Sequence, residues 1–262
     1  MGLDYVDIFY SHRFDPETPL EETMGALAHA VHAGKALYAG VSNYPPEQTR
    51  EAARLLDELG APLLIHQPKY SLLVRDPEAG LFDALTEVGA GAIVFSPLAQ
   101  GLLTDKYLDG IPEGSRAARA EGFLREDQVT DDVVETVRRL REIAQGRGQS
   151  MAQLALAWTR RRPEVTSTLI GASRVAQIEE AVAMLAQTPL SDDEIETIDA
   201  ITSQIGLKRI LVSRSCSGSS RMRDSSRVSW SLVTMPATAW DPSFLTMSAP
   251  TRSSVMTRTT SA

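Results

Sequence analysis

The regular succession of a short apolar run and a longer amphipathic segment constrains this chain more than any other feature. Five runs stand out: "YVDIFY" (5–10), "KALYAGV" (35–41), "PLLIHQ" (62–67), "GAIVFS" (91–96) and "TSTLIG" (166–171). They are rich in β-branched, aliphatic and aromatic residues and bounded by turn formers, as strands buried on both faces should be. Strand–helix units recurring about every 30 residues require parallel strands joined by crossover helices. Two α/β architectures satisfy that requirement, an open doubly wound sheet and a (β/α)8 barrel. No Gly-x-Gly-x-x-Gly follows any of the runs, which argues against a dinucleotide-binding doubly wound sheet. A barrel needs eight strands, and five are legible.

The segments between the runs carry helix signals. Thr18-Pro19-Leu20-Glu21 reads as a capping box with proline at the first helical position, opening a helix that stops near Gly34. Pro45-Pro46 lead into a second helix ending at Gly60, and Asp76-Pro77 open a third. After the fourth run comes a long excursion, "PLAQGLLTDKYLDGIPEGSRAARAEGF", rich in glycine and charge. Val133, Val137, Leu140 and Ala144 then form one apolar stripe; Leu154, Ala155 and Trp158 form another behind a Ser150/Gln153 capping box. The fifth run leads into "SRVAQIEEAVAML", with Val175, Ile178, Val182 and Leu185 on one face. A last helix opens at Ser191, with Glu194 in capping-box register.

Charge and composition divide the chain near residue 207. The net charge of −8 speaks against a nucleic-acid footprint over the whole surface. Residues 207–262 are instead basic, rich in Ser, Thr and Arg, and contain no glutamate. They read as a low-complexity tail, disordered or translated out of frame, beside a domain spanning residues 1–206. The single cysteine, Cys216, lies in that tail, so no disulfide framework is expected. No signal-peptide pattern opens the sequence, and no apolar stretch approaches the ~20 residues that span a bilayer. A soluble, cytoplasmic protein without membrane or nucleic-acid partners is the expectation.

In a barrel the chemistry sits at the carboxyl ends of the strands. Those ends are Ser11-His12-Arg13, Ser42-Asn43, Gln67, Ser96-Pro97-Leu98-Ala99-Gln100-Gly101 and Gly171-Ala172-Ser173-Arg174. Any one such polar residue is adequately explained as a turn former or helix cap. Five in succession on one end of the sheet are harder to explain so. Phosphate binds well where a helix start meets a guanidinium, which fits Ser173-Arg174, and Lys106 and Arg116 could clamp it beside the fourth run. Arg13, Arg75 and Arg119 could meet a phosphorylated substrate, although loop arginines are commonly just solvated. His66, within a run, reads as packed. His29 and His32, at i, i+3 on a helix, read as a solvated face rather than a metal pair.

The motifs "GLDYVDIFYSHRFD", "GKALYAGVSNY", "HQPKYSLL", "FSPLAQGLLTDKY", "GIPEGSR" and "LIGASRVAQIEEAV" together resemble the aldo-keto reductase superfamily. The resemblance is to its branch of glyceraldehyde 3-phosphate reductases and potassium-channel β subunits. It runs from residue 2 to about 205 and implies strands four to eight of a (β/α)8 barrel, with NADPH bound in extended form. It implies that His12 orients a substrate carbonyl, and that Ser42, Asn43 and Gln67 hold the nicotinamide carboxamide against Phe95. Ser96, Leu98, Gln100, Lys106 and Arg116 match the pyrophosphate loop. Gly171, Ser173, Arg174, Gln177 and Glu180 match the adenosine 2′-phosphate and adenine site. The family's catalytic Asp, Tyr and Lys belong to three units without a counterpart in this sequence. The implied activity is NADPH-dependent reduction of small aldehydes, such as glyceraldehyde 3-phosphate or methylglyoxal, with the fragment itself inactive. A cofactor-binding regulatory subunit and a non-functional reading frame are the alternatives, and self-association is expected of the full-length relative.

Overall fold

In the computed structural model, residues 2–118 and 124–215 are described. Arg119 and the tail from Cys216 onward lie outside them. Five strands, β1 (Val6–Ser11), β2 (Ala36–Ser42), β3 (Leu63–Gln67), β4 (Gly91–Phe95) and β5 (Val165–Leu169), form one sheet in sequence order. Every neighbouring pair is parallel. Between them run α1 (Leu20–His32), α2 (Pro46–Glu58), α3 (Leu81–Val88), α4 (Asp131–Gly146) and α5 (Met151–Thr159). After β5 come α6 (Val175–Ala183) and α7 (Asp192–Ser215).

Strand alternation sorts the sheet into two unlike faces. Ala39, Val41, Leu63, Ala92, Val94 and Val165 join the main hydrophobic core with Leu27, Leu56, Phe82 and Leu85 of the helices. The opposite face carries Ile8, Tyr10, Tyr38, Ile65, Phe95 and Leu169, and none of these belongs to that core. Tyr38 is 49% exposed and Leu169 36%. The expectation of strands buried on both faces is therefore corrected: the helices cover one face only. Extra residues interrupt the ladder at two points, where the register shifts beside Ala39/Gly40 and Ala92/Ile93. Leu64 and Thr166 are the bulged residues, and beyond each the alternation resumes in step.

Gly40 lets the open face close up at its centre. A Cβ there would stand 2.7 Å from the Tyr10 ring and 3.2 Å from Ile65. The expected ends of α1 and α2 hold, with Gly34 and Gly60 in the left-handed conformation at φ 66 and 69°. The Ser150/Gln153 capping box closes as read, as does Ser191/Glu194. The Thr18/Glu21 box does not. The Thr18 hydroxyl donates instead to Asp15 at 2.8 Å, inside a turn that also takes the Glu17 amide, and Pro19 occupies the cap position. The helix expected from Asp76 is two pieces, a 3-10 turn at Asp76–Glu78 and then α3, because Gly80 at φ 99° breaks the run.

Helix α7 runs on to Ser215. Of the apolar face read from Val175 to Leu185, Val175 is 70% exposed, Ile178 49% and Val182 39%, while Leu185 packs against the smaller cluster. The face that packs is Ala181 and Met184, against Leu156 of α5.

Candidate functional site

The carboxyl ends of β1, β2 and β3 meet in one hydrogen-bonded cluster. The Ser42 hydroxyl, buried at the end of β2, donates to the Gln67 carbonyl at 2.7 Å. The Asn43 amide donates to Ser42 Oγ at 2.9 Å and reaches the His12 carbonyl at 3.5 Å. Ser42 and Gln67 are register partners on the open face. The four sequence-derived candidates His12, Ser42, Asn43 and Gln67 are thus brought together.

Backbone conformation singles out the same places. Asn43, Ser96, Ala99 and Gln100 are the described non-glycine residues with positive φ, at 55, 56, 45 and 61°. Left-handed backbone costs a non-glycine residue about 1–2 kcal/mol, and such strain clusters at functional sites. Three of the four were singled out from sequence. The fourth, Ala99, carries no polar group and gave no sequence signal. After β4 the chain coils tightly: the Ala99 amide donates to the Ser96 carbonyl at 2.9 Å, and the Gly101 amide to the Leu98 carbonyl at 2.8 Å. Leu98 packs partly against both hydrophobic clusters, which anchors this loop to the helical side.

Support for the cluster comes from beneath, through residues that sequence reading left out or treated as packing. His66 is fully buried, with Nε2 3.2 Å from the Tyr44 amide and 3.1 Å from the Tyr44 carbonyl. Burial lowers its pKa to about 4, so its ring is neutral. The Tyr44 phenol shares a 2.8 Å hydrogen bond with Ser11, and its ring meets Phe14 edge-on. Tyr44 therefore ties β1 to the turn that holds Asn43. Burial pushes the Tyr10 phenol up to about 12, so it too is neutral on the open face.

The remaining candidates lie farther along the same end of the sheet. Phe95 is half-buried, and its carbonyl accepts from the Tyr70 amide at 3.3 Å. Gln177 Oε1 accepts from the Ser173 amide at 2.8 Å and the Arg174 amide at 3.2 Å. The Ser173 hydroxyl also donates to Gln177 Oε1 at 3.3 Å, and the exposed Arg174 side chain stands at the start of α6, just after Gly171. Glu180 contributes its backbone carbonyl to Gln153 at 2.9 Å. Lys106 and Arg116 are exposed on the excursion after β4, with the Lys106 ammonium 5.7 Å from the Tyr107 ring. Arg13 is exposed beside His12. Arg75 is corrected as a substrate candidate: it is committed to Glu78 at 2.6 Å and Asp199 at 2.7 Å, beside Trp158.

A groove lined by Phe14, Pro19, Leu20, Glu47 and Glu51 opens between the β1–α1 loop and α2, but no strand-end candidate lines it. Among the described residues no group of His, Cys, Asp and Glu is placed to hold a metal ion. His29 and His32 are exposed on α1. No described helix is long and apolar enough to cross a membrane.

A carboxamide ligand suits the strand-end cluster. Ser42 Oγ and the Asn43 amide nitrogen are engaged with each other and with the backbone, and the Asn43 side-chain oxygen and the Gln67 side-chain amide stand beside them as an acceptor and a donor. Comparison with known proteins places the chain among relatives. The L-glyceraldehyde 3-phosphate reductase of Escherichia coli O157:H7 is 54% identical over 203 residues, covering 76% of this chain and 59% of the relative. A putative voltage-gated potassium channel subunit beta of Schizosaccharomyces pombe is 38% identical over 216 residues, covering 80% and 59%. Among solved structures, a thermostable aldo-keto reductase aligns with TM-score 0.55 at 30% identity, covering 76% of this chain and 60% of its own. A glycerol dehydrogenase from Gluconobacter oxydans aligns with TM-score 0.63 at 25% identity, covering 77% and 60%. The chain thus spans about three-fifths of the length of the proteins it matches. The profile of the aldo/keto reductase family matches residues 1–203, and the chain belongs to that family.

Proposed function

We propose that this chain carries the cofactor-holding side and the substrate-orienting histidine of an NADPH-dependent reductase of small aldehydes, such as glyceraldehyde 3-phosphate or methylglyoxal. The observation that supports this most directly is the cluster of His12, Ser42, Asn43 and Gln67, with Asn43 held at φ 55°. The 54% identity to a glyceraldehyde 3-phosphate reductase supports the substrate class.

The Asn43 oxygen and the Gln67 amide supply acceptor and donor for a carboxamide, while Phe95 offers a flat apolar surface on the same face. Bound there, NADPH would supply the hydride for carbonyl reduction. His12, exposed at the end of β1, would donate a hydrogen bond to the substrate carbonyl and fix its orientation. Gly101 and the tight turn over Ser96–Gln100 would hold a pyrophosphate, with Lys106 and Arg116 on the adjoining excursion as cationic groups. Arg174, with Ser173, would meet the 2′-phosphate that distinguishes NADPH from NADH. Gln177 holds their amides in place.

Among the described residues none is assigned as donor of the proton that completes the reduction. A missing general acid costs about 10²–10⁴-fold in rate. The chain is therefore expected to bind NADPH without turning over aldehyde at the rate of its full-length relatives. Fluorescence titration of the purified chain with NADPH and NADH tests the reading. Saturable NADPH binding is expected, weakened at least tenfold by Arg174→Ala, with NADH binding unchanged. Absence of saturable binding, or an Arg174→Ala variant that affects both nucleotides equally, refutes it.

A further inference from the structure

Tyr44 carries a hydroxyl where packing asks only for a ring. The residue is 3% exposed, and its ring meets Phe14 edge-on at 5.7 Å, a contact that phenylalanine would make equally well. Burying a hydroxyl is costly unless it is hydrogen-bonded. Its recorded partner is the Ser11 hydroxyl, 2.8 Å away and 33 positions earlier. Burial raises the pKa of the phenol, so the group stays protonated and the bond persists at neutral pH. Ser11 is the last residue of β1, and His12 comes next.

The ladder between β1 and β2 runs as far as the Ser11–Val41 pair. His12 and Asn43 both lie past it, so strand pairing does not by itself set the distance between them. Two side-chain contacts join the strand ends there. The Asn43 amide reaches the His12 carbonyl at 3.5 Å, and the Tyr44 phenol meets Ser11 at 2.8 Å. A hydrogen bond is weak at the longer distance, so the phenol makes the firmer tie. The other end of Tyr44 is fixed as well. Its amide and carbonyl lie 3.2 and 3.1 Å from His66 Nε2 on β3. The buried Thr49 hydroxyl of α2 reaches the same carbonyl at 3.4 Å and the Pro45 carbonyl at 2.9 Å. Tyr44 thus links the ends of three strands: β1 through its phenol, β2 through the chain itself and β3 through His66.

We propose that Tyr44 is a positioning residue, whose hydroxyl holds the end of β1 so that His12 stands at a fixed separation from Asn43. The proposal rests on the cofactor reading given above and deepens it. In that reading the group that orients the substrate and the group that holds the carboxamide sit on different strands. Hydride transfer tolerates little change in their separation, because reacting atoms must be aligned at near-contact distance. Buried beneath the cluster, Tyr44 acts through Ser11 and Asn43.

The full chain carries the test as Tyr44→Phe, Ser11→Ala and the double variant, with adenosine 2′,5′-bisphosphate as a probe of the adenosine half alone. Tyr44→Phe is expected to bind NADPH about fivefold more weakly, the factor that loss of one ordinary hydrogen bond gives, and to bind the bisphosphate as the parent does. The double variant should be no weaker than either single one, since both hydroxyls serve one bond. In the chain without nucleotide, amide nitrogen relaxation should show His12, Arg13 and Asn43 as rigid as β2, and exchanging on the microsecond-to-millisecond scale in Tyr44→Phe. Equal weakening toward both nucleotides marks a general structural role and overturns the proposal. Unchanged NADPH binding, additive effects of the two substitutions, or unchanged relaxation at His12 overturns it too. A parent chain that binds no NADPH removes the cofactor reading instead, and the relaxation comparison then decides the positioning role.

Discussion

His66 makes the fold acid-sensitive in a window of its own. Its Nε2 faces both the amide and the carbonyl of Tyr44, while Nδ1 is buried without a hydrogen-bond partner. A neutral ring carries one N–H, so Nε2 either accepts from the Tyr44 amide or donates to its carbonyl; the protonated ring carries N–H on both nitrogens, so that Nε2 no longer accepts from the amide and Nδ1–H lies buried without a partner. Burial accordingly lowers the pKa from 6.5 to about 4. The unfolded chain takes up a proton near 6.5, and the folded chain resists until about 4. The stabilisation is therefore complete above the upper value and is lost as the pH falls toward the lower. At 1.36 kcal/mol per pKa unit the full loss is about 3 kcal/mol, with about 2 kcal/mol gone by pH ~5. Urea unfolding at pH ~7.5 and ~5 measures it, with His66→Gln as the comparison because glutamine keeps an amide and does not titrate. The variant is expected to lose about 2 kcal/mol less than the parent between the two conditions. Glu78 and Glu194, held below the ordinary carboxylate value, lose their contributions as the pH falls below that value, beneath this window and in both proteins alike. Equal losses in parent and variant would refute the assignment.

Further substitutions separate packing from site chemistry. Arg161→Ala removes a guanidinium lying 3.7 Å above the Trp158 ring and bonded to Glu78 and the Tyr70 phenol, and should cost about 2–4 kcal/mol in urea unfolding. Arg161→Lys should recover less than half of that, because it lacks the planar fork. Asn43→Gly relieves positive φ while deleting the side chain that meets Ser42. Its unfolding midpoint is expected to stay level or rise, with at least fivefold weaker NADPH binding by fluorescence. Gly40→Ala would drive a methyl into the Tyr10 ring and should cost about 1–3 kcal/mol by the same unfolding assay.

Much of the fold was legible because the strands are short, apolar and separated by helices with their own start and stop residues. Gly34, Gly60 and the Ser150/Gln153 and Ser191/Glu194 boxes act within a few residues, so the sequence displays them directly. The misreadings arise where another group competes, near in sequence or far. Thr18 had the right spacing for a cap, but Asp15 took its hydroxyl first. Arg75 looked like a solvated loop cation, yet it pairs with Asp199 on a helix far along the chain. The α6 stripe has an unambiguous helical period, and period shows that a face is apolar without showing that anything covers it. For the site, polar residues at strand ends identified the cluster. The supporting role of Tyr44 was hidden because its contacts run to Ser11 and His66, on two different strands.

The distribution of these supports bears on what the chain does alone. Ser11, Tyr44, His66 and Leu98 secure the strand-end cluster from the helical side, where Leu56, Phe82 and Leu85 are fully packed. The positive φ angle at Asn43 sits beside buried Tyr44, and those at Ser96 and Gln100 lie on either side of Leu98, so packed residues flank all three. Strained backbone persists only where its surroundings over-determine it, and here those surroundings are the core itself.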